Sequence, residues 1–304
     1  MLSSKMLRGN TNMKKKPVLA FITRNSYSKM RKAPVSLRDV LDSTRQIPYT
    51  DIILVDDSDD ETRSVFSGWC KEHGKNLLTS RSKTYGYGKA TRATARQTAI
   101  DIFLENFDNE WLMFVDDDVI LNEGWWNEAE RYMEDPENGI IWGINYDAIL
   151  DRHGYLKILG IDLVKYLVKE FHRRGGMHDT LLRRKAIEKI KIPPDLHVFE
   201  DWYILRYIQR RGYNVAIVKT GVTHYNPEWK YPRKAIREMA HLAKKYGVEP
   251  STLRYSLYRL GRSMVSIVPT AYVSIKGFGV KEGLIRGFYR WRLKVLYRSF
   301  FLFS

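Results

Sequence analysis

Residues 111–121 read WLMFVDDDVIL, an apolar run of strand formers that stops at three consecutive carboxylates, Asp116, Asp117 and Asp118. A buried strand that ends in this way sets the acids at the edge of a core. Like charges crowded there repel one another unless a cation or a ligand's donors compensate them. Mg²⁺ or Mn²⁺ does this well, because each takes oxygen ligands and completes its shell with waters and phosphates. The plain alternative is a solvated acidic turn. Three acids in a row behind a buried strand favour a functional site.

The surrounding pattern predicts an α/β chain. PVLAFIT (17–23) and DIILV (51–55) are strand-length apolar runs, the second ending at Asp56-Asp57-Ser58, with helical potential around Ser36–Thr44 between them. A helical stretch over 90–107 leads into WLMFV. Alternation of this kind implies a mostly parallel, Rossmann-like sheet flanked by helices, with ligands in the crevice at the carboxyl ends of the strands. Asp56-Asp57 and Asp116–Asp118 then face one crevice. Further on, GIIWGINY (139–146) reads as a strand, TLLRRKAIEKI (180–190) as a short helix, EDWYILRYIQRRGY (200–213) as a helix with an acidic first turn, and NVAIVKTGVTHY (214–225) as a strand ending near His224. The expected organisation is a basic N-terminal tail over 1–16, a catalytic unit over 17–230 and a basic, aromatic helical segment over 231–304.

Charge sharpens that division. The chain carries 51 Lys+Arg against 35 Asp+Glu, a net +16 that predicts an anionic partner such as nucleic acid, a nucleotide or a membrane surface. From Tyr231 onward there are 15 Lys+Arg and three acids (Glu238, Glu249 and Glu282), so this quarter supplies +12 of the excess. Cys70 is the one cysteine, which rules out an intramolecular disulfide and a cysteine zinc site. The first sixteen residues contain no apolar stretch long enough for a signal peptide, and the expected location is the cytoplasmic face of a membrane.

Several local motifs have two readings. TYGYGKAT (84–91), with Lys89, has the glycines of a phosphate loop but matches neither the Walker A spacing nor the dinucleotide fingerprint. Arg92 and Arg96 lie one helical turn apart, either aimed together at a diphosphate or on a solvated face. Glu200-Asp201 opens a helix after Pro193-Pro194; the pair is a cap, or a general base beside Trp202. His224 at a strand end is either structural or a metal ligand.

Taken in order, these pieces resemble the inverting family-2 glycosyltransferases with the GT-A fold, over about residues 17–226. The motifs are Thr23-Arg24-Asn25, VDDSDDET (55–62), GYGKATRATARQTAI, the DXD triplet Asp116–Asp118, GGMHDTLLRR and the acidic pair before Trp202. The resemblance implies that Thr23 and Asp57 contact the base or ribose, with Arg24, Asn25 and Asp56 in the same nucleotide-contacting segments, and that Lys89 and Arg96 lie near the nucleotide and its diphosphate. It implies Asp118 as the surest ligand of Mn²⁺ or Mg²⁺, with Asp116 the other flanking member of the DXD, Asp116 or Asp117 reaching the ribose, and His224 completing the metal site. Asp201 becomes the base, supported by Glu200. The donor is then a GDP- or UDP-linked sugar. No QxxRW-type element lies between Trp202 and Tyr246, which implies transfer of a single sugar, as in dolichyl-phosphate sugar synthases or lipid-linked-glycan transferases.

The C-terminal segment predicts a peripheral or monotopic membrane contact. Residues 283–303 place Arg286, Arg290, Lys294 and Arg298 on one helical stripe and Leu284, Phe288, Trp291 and Val295 on another, a pattern suited to an anionic headgroup boundary. MVSIVPTAYVSI (264–275) is about half the length needed to span a bilayer and contains Pro269, so a shallow or re-entrant segment is expected. A polyprenyl- or dolichyl-linked acceptor would suit such an attachment. The alternatives are a nucleotidyltransferase of related α/β fold and a basic nucleic-acid-binding protein. Three acids in the cleft weigh against a nucleic-acid partner.

Overall fold

A computed structural model describes residues 16–147, 162–225 and 231–304, so the expected basic tail lies outside the described residues apart from Lys16. The chain divides into two compact units, one of residues 1–149 and 167–227, the other of 150–166 and 228–304.

The first unit is built on one sheet. Its elements are β1 (Val18–Thr23), α1 (Ser26–Met30), α2 (Leu37–Ser43), β2 (Asp51–Asp56), α3 (Thr62–Glu72), β3 (Asn76–Ser80), α4 (Arg92–Asn106), β4 (Trp111–Val115), β5 (Val119–Leu121) and α5 (Trp125–Met133). They continue with β6 (Asn138–Asp147), α6 (Leu163–Arg174, which begins in the other unit), β7 (Asp179–Arg183), α7 (Arg184–Ile187), α8 (Glu200–Arg210) and β8 (Asn214–His224). The strand order is β3-β2-β1-β4-β7-β6-β8-β5.

The sheet is parallel from β3 to β4 and mixed beyond it. β7 runs antiparallel to both β4 and β6, β5 runs antiparallel to β8, and β6 and β8 are parallel. Parallel pairings are therefore the majority by one, and all the antiparallel ones lie on the β7 side of β4. Every residue of β4 is buried, as its unbroken apolar run requires. α4 starts at a capping box between Thr91 and Thr94 and is buried on most of its circumference, the mark of a helix inside a core.

TLLRRKAIEKI is not the expected helix. Residues 179–183 form β7, inserted between β4 and β6, and only 184–187 make a helical turn. Leu181 and Leu182 are buried on opposite faces of the sheet, and so short an apolar pair carries no period that separates strand from helix. The two arginines after Leu182 are anchored to backbone carbonyls, Arg183 buried and Arg184 partly buried. Arg183 donates to the carbonyls of Asn138 (2.7 Å) and Asp135 (2.7 Å), pairs with Glu110 and lies over the Trp111 ring; Arg184 donates to the Asn109 carbonyl and covers Phe103.

In the second unit the described elements are α9 (Arg233–Lys245), α10 (Leu253–Val265) and α11 (Ile267–Phe303). Pro269 falls in the first turn of α11, where its missing N–H is harmless. Gly279 (φ 73°, ψ 174°) breaks the helix and turns it back on itself. A Cβ at Gly283 would stand 2.4 Å from the Ile275 Cα, so the two limbs meet backbone to backbone.

The basic stripe of 283–303 is graded in exposure: Arg298 is buried, Arg286 and Arg290 are partly buried and Lys294 is exposed. Arg298 pairs with Glu249, Arg286 with Glu282, and Lys294 donates to Thr270 Oγ1 (3.1 Å). Leu284, Ile285 and Phe288 are exposed as well. Periodicity shows which residues share a face; it does not show which face neighbouring helices cover.

Candidate active site

At the carboxyl ends of β1 and β2 the side chains bond to one another. Thr23 Oγ1 donates to Asp56 Oδ1 (2.9 Å), which also accepts from the Ser58 N–H (3.0 Å), and Ser58 Oγ accepts from the Asn25 N–H (2.7 Å). Asn25 adopts a left-handed conformation (φ 57°) that asparagine tolerates, and it precedes the first turn of α1. Asp56 is thus held inside this lattice. Asp57 accepts from the N–H and hydroxyl of Ser82, which anchors the start of the glycine-containing loop. Arg24 is exposed, and Lys89 sits on the exposed loop with its ammonium 5.4 Å from the centre of the Tyr87 ring. Among the described residues no contact brings Lys89 to the carboxylates.

Arg96 gathers the acids. Its guanidinium, 2% exposed, lies 3.3 Å from Asp116 Oδ1, 3.5 Å from Glu200 Oε1 and 3.3 Å from Asp201 Oδ1, with Phe114 beneath it. Arg92, on the exposed side of α4, reaches Glu200 Oε1 at 3.7 Å. The DXD strand end and the acidic pair of α8 are therefore parts of one cluster. Burial alone would raise the Asp116 carboxyl, but Arg96, His178, Arg92 and His224 together hold it below the usual range. One buried guanidinium cannot balance three carboxylates, of which Glu200 is fully buried and Asp116 and Asp201 are partly so. Glu200 absorbs the imbalance: burial and the adjacent Asp201 push it up to about 8, so it keeps its proton at neutral pH. Asp201 Oδ1 is buried without a hydrogen-bond partner, and the 26% exposure of the side chain lies on its other atoms.

The remaining two acids of the triplet differ from each other. Asp117 accepts from Ser26 Oγ and is pushed up to about 7, by burial first and by the neighbouring Asp118 second. Asp118 meets His224, because β5 pairs with β8 in a register that sets Val119 opposite His224. Its Oδ1 stands 3.0 Å from His224 Nε2. An octahedral cation with bonds of about 2.1 Å sets adjacent ligands about 3.0 Å apart, so this pair has the spacing of two neighbouring ligands of Mg²⁺ or Mn²⁺. Among the described residues no group of three or more His, Cys, Asp or Glu can hold a metal ion. The rest of such a shell would fall to phosphate oxygens and water.

Three residues not among the expected site residues join the site. His178, buried, places Nδ1 2.6 Å from Asp179 Oδ1, while Asp179 Oδ2 accepts from Trp125 Nε1 (2.7 Å). Asn145 contacts His224. The Gly-Gly element has a steric explanation: Gly175 has φ +74°, and a Cβ there would lie 2.4 Å from the Asp201 carbonyl carbon, so α8 begins directly against it. The adjacent His-Asp pair after Gly175-Gly176 is the one sequence signal that could have pointed to His178.

The sequence profile of glycosyl transferase family 2 matches residues 22–191, more than half of the chain. The chain belongs to glycosyl transferase family 2. That sets aside the nucleotidyltransferase and nucleic-acid-binding alternatives. The matched span of this glycosyltransferase contains Asp56, Asp57, Arg96, the DXD triplet and Gly175-Gly176. Glu200, Asp201 and His224 lie beyond it and are tied to the site by their contacts with Arg96 and Asp118.

No curated protein sequence matches the chain. Among solved structures, the mannosyltransferase PcManGT from Pyrobaculum calidifontis, in complex with GDP-Man and Mn²⁺, is similar with a TM-score of 0.53 and 14% identity over 93% of this chain and 73% of that one. S. aureus TarS 1–349 gives 0.51 and 14% over 94% and 90%. Against the longer S. aureus TarS chain the TM-score is 0.50 at 14% identity, covering 75% of this chain and 39% of that one. At such identities the likeness shows the fold, which is GT-A.

Proposed function

We propose that this glycosyltransferase moves a single sugar from a GDP- or UDP-linked donor to an acceptor hydroxyl or phosphate, with inversion at the anomeric carbon. The observation that carries the reading is the Arg96 cluster, which sets the Asp201 carboxylate beside the DXD strand end. Asp201 accepts the acceptor's proton as its oxygen attacks the face opposite the leaving diphosphate. Arg96 orients Asp201, and protonated Glu200 spares it a second adjacent charge. Thr23, Arg24, Asn25 and Asp57 line the nucleotide side, and Asp116 or Asp117 faces the ribose. Lys89, on its exposed loop, would have to move to reach a diphosphate. Asp118 and His224 hold Mn²⁺ or Mg²⁺, which when bound offsets the negative charge of the departing nucleoside diphosphate. The complex of PcManGT with GDP-Man and Mn²⁺ supports a GDP-sugar as the first donor to try.

The second unit is proposed to rest on an anionic membrane surface. No helix among the described residues is long and apolar enough to cross a membrane. Val265 (75% exposed), Val268 (73%), Val280 (67%) and Phe288 (55%) instead give α10 and α11 exposed apolar surface, as an interfacial helical hairpin requires. A cavity of about 260 Å³ in the same unit is lined by Arg233 and Arg292 together with Tyr231, Ile236 and Tyr289, which suits a phosphate headgroup. A lipid-linked polyprenyl or dolichyl phosphate acceptor fits both features.

One reaction series tests these proposals. An α-linked nucleotide sugar, incubated with a polyprenyl phosphate in anionic vesicles, is expected to give one β-linked sugar per acceptor by NMR, with the protein sedimenting with the vesicles. An α-linked product or a lengthening ladder would overturn the mechanism. Equal recovery of protein in the supernatant with anionic, zwitterionic and no vesicles would overturn the membrane assignment.

A further inference from the structure

Asn145 reaches the site through an irregularity in the sheet. Along the β6/β8 pair Gly143 lies opposite Val218 and Asn145 opposite Val222, so β8 sets three residues, Lys219 to Gly221, against Ile144 alone. Such bulges re-aim side chains beside active sites. Two features hold this one. The N–H groups of Lys219 and Thr220 donate to the Glu128 carboxylate (2.8 and 2.9 Å), and Gly221, at φ +57°, lies so close to the Ile144 carbonyl that a Cβ would stand 2.0 Å from its oxygen.

The result is a contact of 3.0 Å between Asn145 Nδ2 and His224 Nδ1. An amide N–H facing Nδ1 makes that nitrogen the acceptor, so the imidazole proton sits on Nε2 and points at Asp118 Oδ1, 3.0 Å away. In this arrangement Nε2 has no lone pair for a cation. It also leaves Asn145 Oδ1 buried without a hydrogen-bond partner, a costly state for an amide oxygen. A half-turn of the Asn145 amide gives Oδ1 a partner and frees Nε2, while Nδ2 takes the place that Oδ1 leaves. Oδ1 then accepts a proton from Nδ1, and the Nε2 lone pair faces Asp118, an arrangement that only a cation between them makes favourable.

We propose that Asn145 is a positioning residue that selects the His224 tautomer, one amide orientation latching His224 to Asp118 and the other presenting both to a divalent cation. The inference rests on the assignment of Asp118 and His224 as metal ligands. Asn145 itself touches neither substrate nor metal. The latch closes the ligand pair when no cation is present and prevents two lone pairs from facing each other.

The test titrates Mn²⁺ alone, and with GDP or UDP, against the full chain and follows the free Mn²⁺ signal by electron paramagnetic resonance. Asn145→Leu is expected to weaken Mn²⁺ binding about 10- to 100-fold. Asn145→Asp, which can only accept from Nδ1, is expected to bind at least as tightly as the parent. His224→Ala serves as the reference. If His224→Ala leaves Mn²⁺ binding unchanged, the metal assignment itself fails; if it weakens binding while Asn145→Leu does not, or if Asn145→Asp loses as much as Asn145→Leu, the positioning role alone fails. Independently of any variant, ¹⁵N histidine spectra of the parent are expected to show His224 protonated on Nε2 without metal and on Nδ1 with saturating Mg²⁺ and nucleoside diphosphate. A tautomer unchanged by Mg²⁺ would overturn the proposal.

Discussion

Asp201→Asn is expected to lower the rate of sugar transfer about 10²- to 10⁴-fold, the usual contribution of a positioned general base. Binding of the nucleoside diphosphate should persist. The amide keeps the shape of the carboxylate and can turn its oxygen toward Arg96, 3.3 Å from the present Oδ1, so the cluster loses a proton acceptor and little else. With Glu200 protonated, it also loses one of two negative charges, a change the remaining Asp116–Arg96 pair tolerates. Rate and nucleotide affinity measured on the same preparation separate the possibilities. Loss of nucleotide binding in a folded variant would make Asp201 part of the donor site, and near-normal transfer would remove it from the chemistry.

Arg96→Met is expected to be the most destabilising substitution in the first unit. The methionine fills much of the volume but leaves Glu200 and Asp201 with only the exposed Arg92, and Asp116 with His178, His224 and Arg92, in place of the buried guanidinium. Removing one partner of a buried ionic group costs about 3–5 kcal/mol, a fall in Tm on the order of 10 °C for a unit of this size. The loss should shrink in acid, because uncompensated buried carboxylates recover stability by taking up protons. Glu200→Gln should behave in the opposite sense. With a folded value of about 8 against 4.5 for the free side chain, native Glu200 keeps a proton that the unfolded chain gives up, so its contribution to stability is lost as pH rises from about 4.5 through 8. Glutamine carries no such penalty, so the Tm of Glu200→Gln should gain on that of the parent between pH 5 and pH 8. Melting curves across that range decide the matter. A constant Tm difference would mean that Glu200 is ionised in the fold, and an Arg96→Met variant as stable as the parent would dissolve the cluster.

The sequence made β1, β2 and β4 readable because they are strand-length apolar runs with acids or turn residues at their carboxyl ends; β3 (Asn76–Ser80), largely exposed at the sheet edge, has no such run and was not readable. α4 and α8 were readable for the same reason: each keeps helical spacing between clear breaks. β7 was not, since its two leucines have no period and its arginines resemble a helix surface. The three residues of β5 are too few for any pattern, yet their pairing with β8 is what brings His224 to Asp118. Arg96 had two readings, a solvated face or a diphosphate ligand, and the burial of α4 created a third, the counter-charge to three acids. Asn145 carries no local signal, and His178 only its place beside Asp179 after the two glycines. Their place in the site comes from the register of β6 and from the insertion of β7 between β4 and β6, properties of tertiary pairing.

The most direct measurement is a melting series of the purified chain with GDP, UDP, CDP, ATP and GTP, each with and without Mn²⁺. A ligand that binds only the folded state raises Tm by mass action. GDP or UDP should raise it in the presence of Mn²⁺ and much less in its absence, with the Mn²⁺-dependent part lost in His224→Ala. A rise with nucleoside triphosphates alone, or a diphosphate effect indifferent to Mn²⁺, would contradict a metal-assisted nucleotide-sugar site at Asp118 and His224.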